Sequence, residues 1–462
     1  MPSYAKYVER VERLALNGDR RGADFWIASK TALDGEPSRM LREAKTPDNR
    51  RKLGSFFTSK ALAELALAKR KFNSNSRISD PACGAGDLLL AAARRLPVRK
   101  TLHLTLKYWS ETLGGADIRP EFVRLAKARL AILARQRVKD RKPLQRDLSR
   151  YFTSIRVKDA LNHKRGRHRI NLILLNPPFG LVDAPRDCTW GSGRVNSGAL
   201  FLQSVLEAAG EGARLIAILP DVLRTGSRYK LWRANVSRLL RVTRLDHYGV
   251  FDASADVDVF ILEGCCRRSN RPRRIEWWPP NKKNTTTVAE HFTVSVGAVV
   301  PHRHKRKGPL RPYLHAKSLP RWKSLRRIGE NRKFMGPVTK PPFVVIRRTS
   351  RRGDPNRAVA TIIASKSDVA VENHLIICRP KNGTLKQCKA LLTQLRSHKT
   401  TRFLDERIRC RHLTVEAIKE LPFVGERVAA GEHRLTCTVA RNSLGGKVGL
   451  KKLTHASIRR VT

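Results

Sequence analysis

Leu172 to Gly180 reads LILLNPPFG: four apolar residues, then Asn176, Pro177, Pro178, Phe179 and a glycine. The apolar run reads as a buried strand, and proline cannot donate to a ladder, so the strand must stop at Asn176 and turn stiffly outward. That turn holds the Asn176 amide, the carbonyls beside it and the Phe179 ring in one geometry. Proline lacks an N–H, so the turn offers acceptors with few competing donors. A nitrogen carrying two hydrogens suits such a place. The Asn176 side-chain oxygen and the Pro177 carbonyl can each take one, drawing the nitrogen toward tetrahedral geometry and freeing its lone pair. Phe179 adds a stacking face for a conjugated base such as adenine. A plain turn is the competing reading, but four such residues recur by chance only about once in several hundred chains of this size. The chain carries its own control at Lys340 to Phe343, KPPF, which has neither the asparagine nor a preceding strand and reads as a turn alone.

A second group lies upstream in DPACGAGD, Asp80 to Asp87. Gly84 and Gly86 flank an alanine at a strand-to-helix corner, where small residues let a ligand approach the backbone. The dinucleotide fingerprint would place a third glycine where Leu89 stands, so the loop is a poor pyrophosphate cradle and suits a nucleoside without phosphates. Asp117, closing the next strand, is placed to accept from ribose hydroxyls. Its interval from Asp80 exceeds the ~20 residues usual for that acid, and the excess lies in VRKTLHLTLKYWSETL. Asp159, ending the third strand, is placed to accept from an adenine amino group. Each acid alone reads equally well as a strand-end cap. Three successive strands carrying Asp at one sheet edge point to a ligand site, because open α/β sheets bind at their carboxyl edge.

These residues need elements to position them. From Gly54 a loop leads into an Ala/Leu-rich helix through Ala68. Next come a strand, the glycine turn and a helix starting near Asp87, then a strand end at Asp117 and a helix opening at Pro120. IRVKDAL, LILLNPPFG, the helix ALFLQSVLEAA, the strand ARLIAILP and two further strands in LDHYGVFDASADVDVFILEG complete the series. Strands alternating with helices predict a doubly wound α/β sheet, with the last two strands antiparallel at one edge. Residues 1 to about 50 read as a polar helical lead-in with modest periodicity at Val8, Val11 and Leu14. Past about Cys266 the alternation stops, and Arg303 to Arg327 contains no acid. A domain boundary is expected near residues 267 to 300.

Composition sets limits. Lysine and arginine number 94 against 39 acidic residues, a formal net charge of +55, while 41% of residues are hydrophobic. That combination describes a folded protein with a very basic surface whose natural partner is a polyphosphate, DNA or RNA. No apolar run approaches the ~20 residues that span a bilayer, and the N-terminus has no signal-peptide core, so a cytoplasmic location and no membrane partner are expected. Eight cysteines contain no Cys-x-x-Cys pair and thirteen histidines no His-Glu-x-x-His. Reduced thiols and no metal site are therefore expected.

Together the motifs resemble the S-adenosylmethionine-dependent adenine-N6 DNA methyltransferases of restriction-modification systems, in the gamma-class order that puts the target recognition domain at the C-terminus. The resemblance covers about Gly54 to Gly264. GSFFTS, with Phe57 and Thr58, is similar to the family's opening cofactor loop, although Ser59 stands where the family usually has proline. DPACGAGD is similar to its methionine-binding loop, implying cofactor contacts from Asp80, Ala82, Cys83, Gly84 and Gly86. Asp117 with Ile118 resembles the ribose-binding position, and Asp159 with Ala160 the adenine-contacting one. Asn176, Pro177, Pro178 and Phe179 match the catalytic motif, and Phe251 looks like the aromatic that holds the flipped base from its other face. The resemblance implies an α/β, Rossmann-like seven-stranded class I methyltransferase domain with a C-terminal α+β target recognition domain. The corresponding expectations are an N-terminal helical segment over 1–50, a catalytic domain over 51–267 and a DNA target recognition domain over 290–462. It also implies S-adenosyl-L-methionine as cofactor and double-stranded DNA as partner; a separate restriction endonuclease is the further partner such systems allow. The later residues, from PHRHKRKGP through IRCRHLTVEAIKELPF, more loosely resemble recognition domains of type I specificity subunits.

Other readings compete. Asn-Pro-Pro-aromatic also serves methyltransferases acting on glutamine side chains or RNA bases, since each target is an amide or amine nitrogen. Cytosine C5 methylation needs a Pro-Cys nucleophile, and no cysteine here follows a proline. Cytosine N4 methylation stays open, although its motif more often begins with serine. A non-catalytic DNA-binding specificity protein is the alternative from another class. No Pro-Asp…Glu-x-Lys nuclease site is found.

Overall fold

The strand that ends at Asn176, β4 (Leu172–Leu175), is buried along its whole length. Leu172 and Leu174 enter one core, Ile173 and Leu175 the other, which is why its sequence is an unbroken apolar run rather than an alternating one. The computed structural model describes residues 4–17, 23–44, 57–68, 70–138, 144, 147–160, 170–252, 255–279, 285–350, 353–408 and 411–423. Gly54 to Phe56 of the opening loop and residues 424–462 of the basic C-terminal part lie outside them.

Around β4 stand β1 (Ile78–Asp80), β2 (Leu113–Asp117), β3 (Ile155–Val157), β7 (Arg214–Pro220), β8 (Leu240–Asp252) and β9 (Ala255–Cys266). They form one seven-stranded sheet in the order β3-β2-β1-β4-β7-β9-β8. The first five run parallel, and β9 is antiparallel to both β7 and β8. This is the expected Rossmann-like seven-stranded α/β fold. The chain winds outward from β1 through β2 and β3, then crosses back to β4, so the carboxyl ends of β1 and β4 flank the switch-point crevice where such sheets bind ligands.

One face of the sheet is covered by α4 (Lys60–Leu67), α5 (Asp87–Ala93), α6 (Leu102–Thr112) and α7 (Pro120–Arg137), the other by α8 (Ser197–Ala208) and α10 (Lys230–Leu239); α9 (Asp221–Thr225) follows β7 directly. The long interval before Asp117 is α6, anchored by a fully buried Trp109 whose indole N–H donates to the Pro97 carbonyl at 2.9 Å.

The N-terminal lead-in is less polar in role than its sequence suggested. It comprises α1 (Tyr4–Asn17), α2 (Ala23–Ala32) and α3 (Glu36–Ala44). Tyr4, Tyr7, Val8, Val11 and Ala15 form a buried stripe of helical spacing that joins the core containing α7. Tyr4 meets Phe122 edge-on at 5.7 Å, and the buried Arg135 donates to the carbonyls of Ala15 and Leu16. The charges that made this stretch look polar lie outside the stripe, and Glu12 at its margin pairs with Arg124 of α7.

A short ribbon not foreseen from sequence follows the Asn176 turn. β5 (Leu181–Asp183) pairs antiparallel with β6 (Arg194–Asn196), and α8 begins at the next residue.

By its internal contacts the chain divides into two compact units, the first running to Pro280 and regaining the chain at Thr349–Asp354 and Arg402–Ala417. Those two returns were not legible in a sequence read as one unbroken C-terminal domain. They are held by non-local contacts such as Arg407 stacked 3.5 Å above the Trp278 ring and Arg224 donating to the Glu406 carbonyl.

The second unit has its own sheet, β10 (Phe292–Val296), β17 (Leu375–Pro380), β14 (Phe343–Arg347), β15 (Ala360–Ile363) and β12 (Ser324–Leu325) in that order, and a smaller one of β13 (Asn331–Lys333), β11 (Leu310–Leu314) and β16 (Ala370–Val371). Phe343, Val345, Ile363, Leu375 and Ile377 make its core. KPPF leads into β14, with Phe343 wholly buried, so this copy builds a core rather than a site. In the acid-free stretch 303–327 the lysines and arginines, Arg311 apart, are exposed.

Candidate active site

Asn176 follows the last residue of β4, and its side chain is fixed from a distant part of the chain. The Asn176 amide nitrogen donates to the Thr58 hydroxyl at 2.8 Å. Its Oδ1 is buried and has no hydrogen-bond partner. Leaving a buried acceptor unpaired costs about 1–3 kcal/mol, so the arrangement favours an incoming donor. On the turn that follows, the Pro178 carbonyl accepts from the Ser197 hydroxyl at 2.6 Å, and the Phe179 carbonyl accepts from the Asn196 amide at 2.8 Å. The Pro177 carbonyl is outside that set. The turn thus holds one buried side-chain acceptor without a partner, Asn176 Oδ1, next in the chain to the Pro177 carbonyl.

Phe179 is half-buried and Phe251 buried, and their ring centroids lie 5.4 Å apart at an interplanar angle of 78°. The structure therefore brings the two aromatics together in edge-to-face contact. A base stacked between two rings needs about 7 Å between them, twice a van der Waals spacing. Holding a base from both faces requires the rings to part.

At the other side of the crevice Gly84 (φ +51°) and Gly86 (φ +84°) adopt left-handed backbone, which explains glycine at both places. The Phe57 ring lies 3.3 Å from where a Cβ on Gly84 would stand. Phe57 is in turn packed on Phe122 at 5.0 Å. Asp80 is buried and accepts from the Ala82 N–H at 3.1 Å. Burial, reinforced by repulsion from Asp117 and Asp87, pushes its carboxyl up to about 8. Cys83 is buried and its thiol is raised by that burial, so it is a packing residue of the loop rather than a nucleophile. Asp117 accepts from the Gly84 N–H at 3.1 Å and the Arg119 N–H at 2.9 Å. Its carboxylate therefore ties the glycine loop to β2 while each oxygen keeps a second lone pair; burial raises its pKa. The Lys158 N–H donates to the Asp117 carbonyl, which brings Asp159 beside this edge; Asp159 is exposed, Ala160 buried and Ile118 65% exposed.

A cavity of about 170 Å³ opens beside Thr58, Asp87 and Phe251 and reaches Leu33 and Arg42. It is smaller than the ~300 Å³ at which small-ligand clefts begin, and neither Asn176 nor the glycine loop lines it.

Residues 40–227 match the family described as N-6 DNA Methylase, a span that contains both the glycine loop and the Asn176 turn. This part of the chain is similar to the N-6 DNA methylases. Among solved structures, the chain is similar to a modification subunit assigned to a type I restriction enzyme from Vibrio vulnificus YJ016, at 17% identity and TM-score 0.39, covering 54% of this chain and 51% of that one. A type I restriction-modification system structure matches at 15% identity and TM-score 0.38, covering 55% and 50%. The type IIL restriction-modification enzyme MmeI in complex with DNA matches at 12% and 0.49, covering 82% and 69%. The chain thus spans about half the length of the two type I structures. No curated protein sequence matches it.

Asn196 and Ser197 are the site residues that sequence reading missed. Their only local signal was an Asn-Ser pair opening a helix, a helix-cap signature that says nothing of what else the cap holds. Among the described residues there is no group of three or more His, Cys, Asp or Glu able to hold a metal ion, and no helix long and apolar enough to cross a membrane.

Proposed function

We propose that this chain transfers a methyl group from S-adenosyl-L-methionine to the N6 amino group of adenine in DNA, as the modification enzyme of a restriction-modification system. The observation that carries the reading is the buried, unpartnered Asn176 Oδ1 beside the Pro177 carbonyl. The methylase family match supports it. The residues around the crevice fit the cofactor by their chemistry: Asp80 is a buried acid with two further acids and no cation among its charged neighbours, a natural partner for an ammonium group. Asp117 keeps lone pairs for a ribose diol. Ile118, Asp159 and Ala160 are assigned the adenine end, and Phe57, Thr58, Ala82, Cys83, Gly84 and Gly86 the methionine end.

When bound, the cofactor supplies a methyl carbon attached to positively charged sulfur. The chain's task is to prepare the amine that attacks it. Asn176 Oδ1 and the Pro177 carbonyl accept the two N–H groups, withdrawing the nitrogen lone pair from conjugation with the ring. Attack by that lone pair would form the nitrogen–carbon bond as the carbon–sulfur bond broke, with the sulfur leaving as a neutral thioether. Neither acceptor is basic enough to keep the surplus proton, which passes to water. Phe179 and Phe251 part and stack on the extruded base, and the flip costs a few kcal/mol. The exposed basic stretch 303–327 contributes phosphate contacts that offset this cost.

The test is transfer of labelled methyl from the cofactor to duplex DNA, followed by nucleoside analysis. N6-methyladenine at a defined sequence is the expected product. N4-methylcytosine, or label only in RNA or protein, would overturn the adenine reading.

A further inference from the structure

We infer that Asn196 and Ser197 form a carbonyl clamp that positions the catalytic turn, an inference that rests on the proposed methyl transfer. They occupy the end of β6 and the start of α8, and both are buried, at 5% and 7% exposure. Three hydrogen bonds run from this corner to consecutive carbonyls: Ser197 Oγ to Pro178 O at 2.6 Å, Asn196 Nδ2 to Phe179 O at 2.8 Å and the Ser197 N–H to Gly180 O at 2.8 Å. The corner is itself braced. The Asn196 N–H donates to the Tyr229 hydroxyl at 3.0 Å, and Asn196 Oδ1 accepts from the Gly198 N–H at 2.9 Å as the helix cap. Gly198 is required by closeness: a Cβ there would stand 3.0 Å from Asn196 Oδ1 and 3.4 Å from both Pro177 Cγ and the Pro178 carbonyl.

The clamp has a chemical consequence. Two prolines leave the turn with few donors of its own, so its carbonyls are oriented largely by what donates to them from elsewhere. Asn196 and Ser197 occupy those of Pro178, Phe179 and Gly180. The Pro177 carbonyl is left for the substrate amine, alongside Asn176 Oδ1. The clamp therefore selects which carbonyl faces the reacting nitrogen and holds Phe179 in register. Asn196 and Ser197 are positioning residues: they act through the turn, and small displacements of a reacting group are costly in rate.

The variants separate clamping from folding. Ser197→Ala removes the hydroxyl. Asn196→Asp keeps the oxygen that caps α8, since Asp caps as well as Asn, but deletes the donor to Phe179 O. Each should lower kcat about tenfold or more, as for a reacting group slightly misplaced, with cofactor Kd near wild type; the melting temperature should stay near wild type in Ser197→Ala and fall in Asn196→Asp, whose carboxyl oxygen faces the Phe179 carbonyl. Ser197→Thr, which retains the hydroxyl, should recover most of the rate. Hydrogen exchange of the peptide spanning residues 172–183 should accelerate at Phe179, Gly180 and Leu181 in Ser197→Ala and Asn196→Asp while other peptides stay unchanged. Unchanged kcat and unchanged exchange in both variants overturn the clamp, as does a Ser197→Thr no better than Ser197→Ala. A wild-type protein that transfers no methyl group overturns the functional reading instead, and the exchange measurement still decides the clamp.

Discussion

Asn176 has one side of its amide spent and the other open. Donation to Thr58 fixes the amide so that Oδ1 is the available acceptor. Replacing Asn176 with Ala removes that acceptor, and loss of one such preorganised group costs about 10²–10³ in kcat; DNA affinity, which rests on phosphate contacts, should hardly change. Equal kcat in Asn176→Ala and wild type, measured by labelled methyl transfer, would contradict the role. Thr58→Val should lower kcat by about tenfold, the scale of a slightly misplaced reacting group, whereas Thr58→Ser, which keeps the hydroxyl, should stay near wild type. Asp80 makes a pH prediction. Its pKa is raised on folding to about 8, so the folded state holds a proton that the unfolded chain releases near pH 4. Stability attributable to this group is then complete below about pH 4 and is lost as pH rises toward 8. Asp80→Asn should melt a few degrees above wild type at pH 8 and level with it at pH 4, by differential scanning calorimetry. Identical differences at the two pH values would remove Asp80's titration as the cause.

At the scale of elements, the site is made where rigid pieces end. β4 stops because two prolines cannot pair; α5 starts because Gly86 turns left-handed. Gly86 carries two constraints at once, a φ of +84° and a Cβ position 3.0 Å from that of Ala126 on α7. Gly212 has a similar φ of +81° with nothing within 4 Å of its Cβ position, and so serves as a control. Gly86→Ala should destabilise by about 1–3 kcal/mol and weaken cofactor binding, with Gly212→Ala showing only the backbone part. Thermal melts of the two variants side by side decide this, and equal losses would mean that the approach of α7 does not matter. The N-terminal helices belong to the same assembly: Arg129 on α7, buried, donates to Ala32 at the end of α2 and to Ala85 of the glycine loop at 2.8 and 2.5 Å.

At the scale of the whole molecule, charge dominates. A formal net charge of +55 on a chain with ordinary hydrophobic cores cannot be a folding device, since self-repulsion opposes compaction. Under the proposed function its use is association with the phosphates of DNA. Each neutralised phosphate contributes about −0.9 to the slope of log K against log salt. Replacing Lys323, Arg326 and Arg327 together with Ala, all exposed on the second unit, should flatten that slope by about 2 to 3 while weakening binding similarly across DNA sequences. Filter binding or fluorescence anisotropy over a salt series reads both quantities; an unchanged slope would show that these side chains do not meet phosphate.

The amino-acid sequence by itself determined what depends on neighbours in the chain. Strand β4, its termination by prolines, the glycine corner at Gly84 and Gly86, the alternation that makes an α/β sheet and the distinction between NPPF and KPPF are all written in local residue types and periods. What only the tertiary structure decided is how the distant pieces meet. Thr58 reaches Asn176 across 118 residues of chain, Asn196 and Ser197 seize the carbonyls of a turn in an earlier segment, Phe251 closes on Phe179, and the polar-looking lead-in buries a stripe on α7. A hydroxyl or amide has the same local preferences whether it faces water or a carbonyl. Its partner is set by packing of elements far apart in sequence, and no period or propensity encodes that partner.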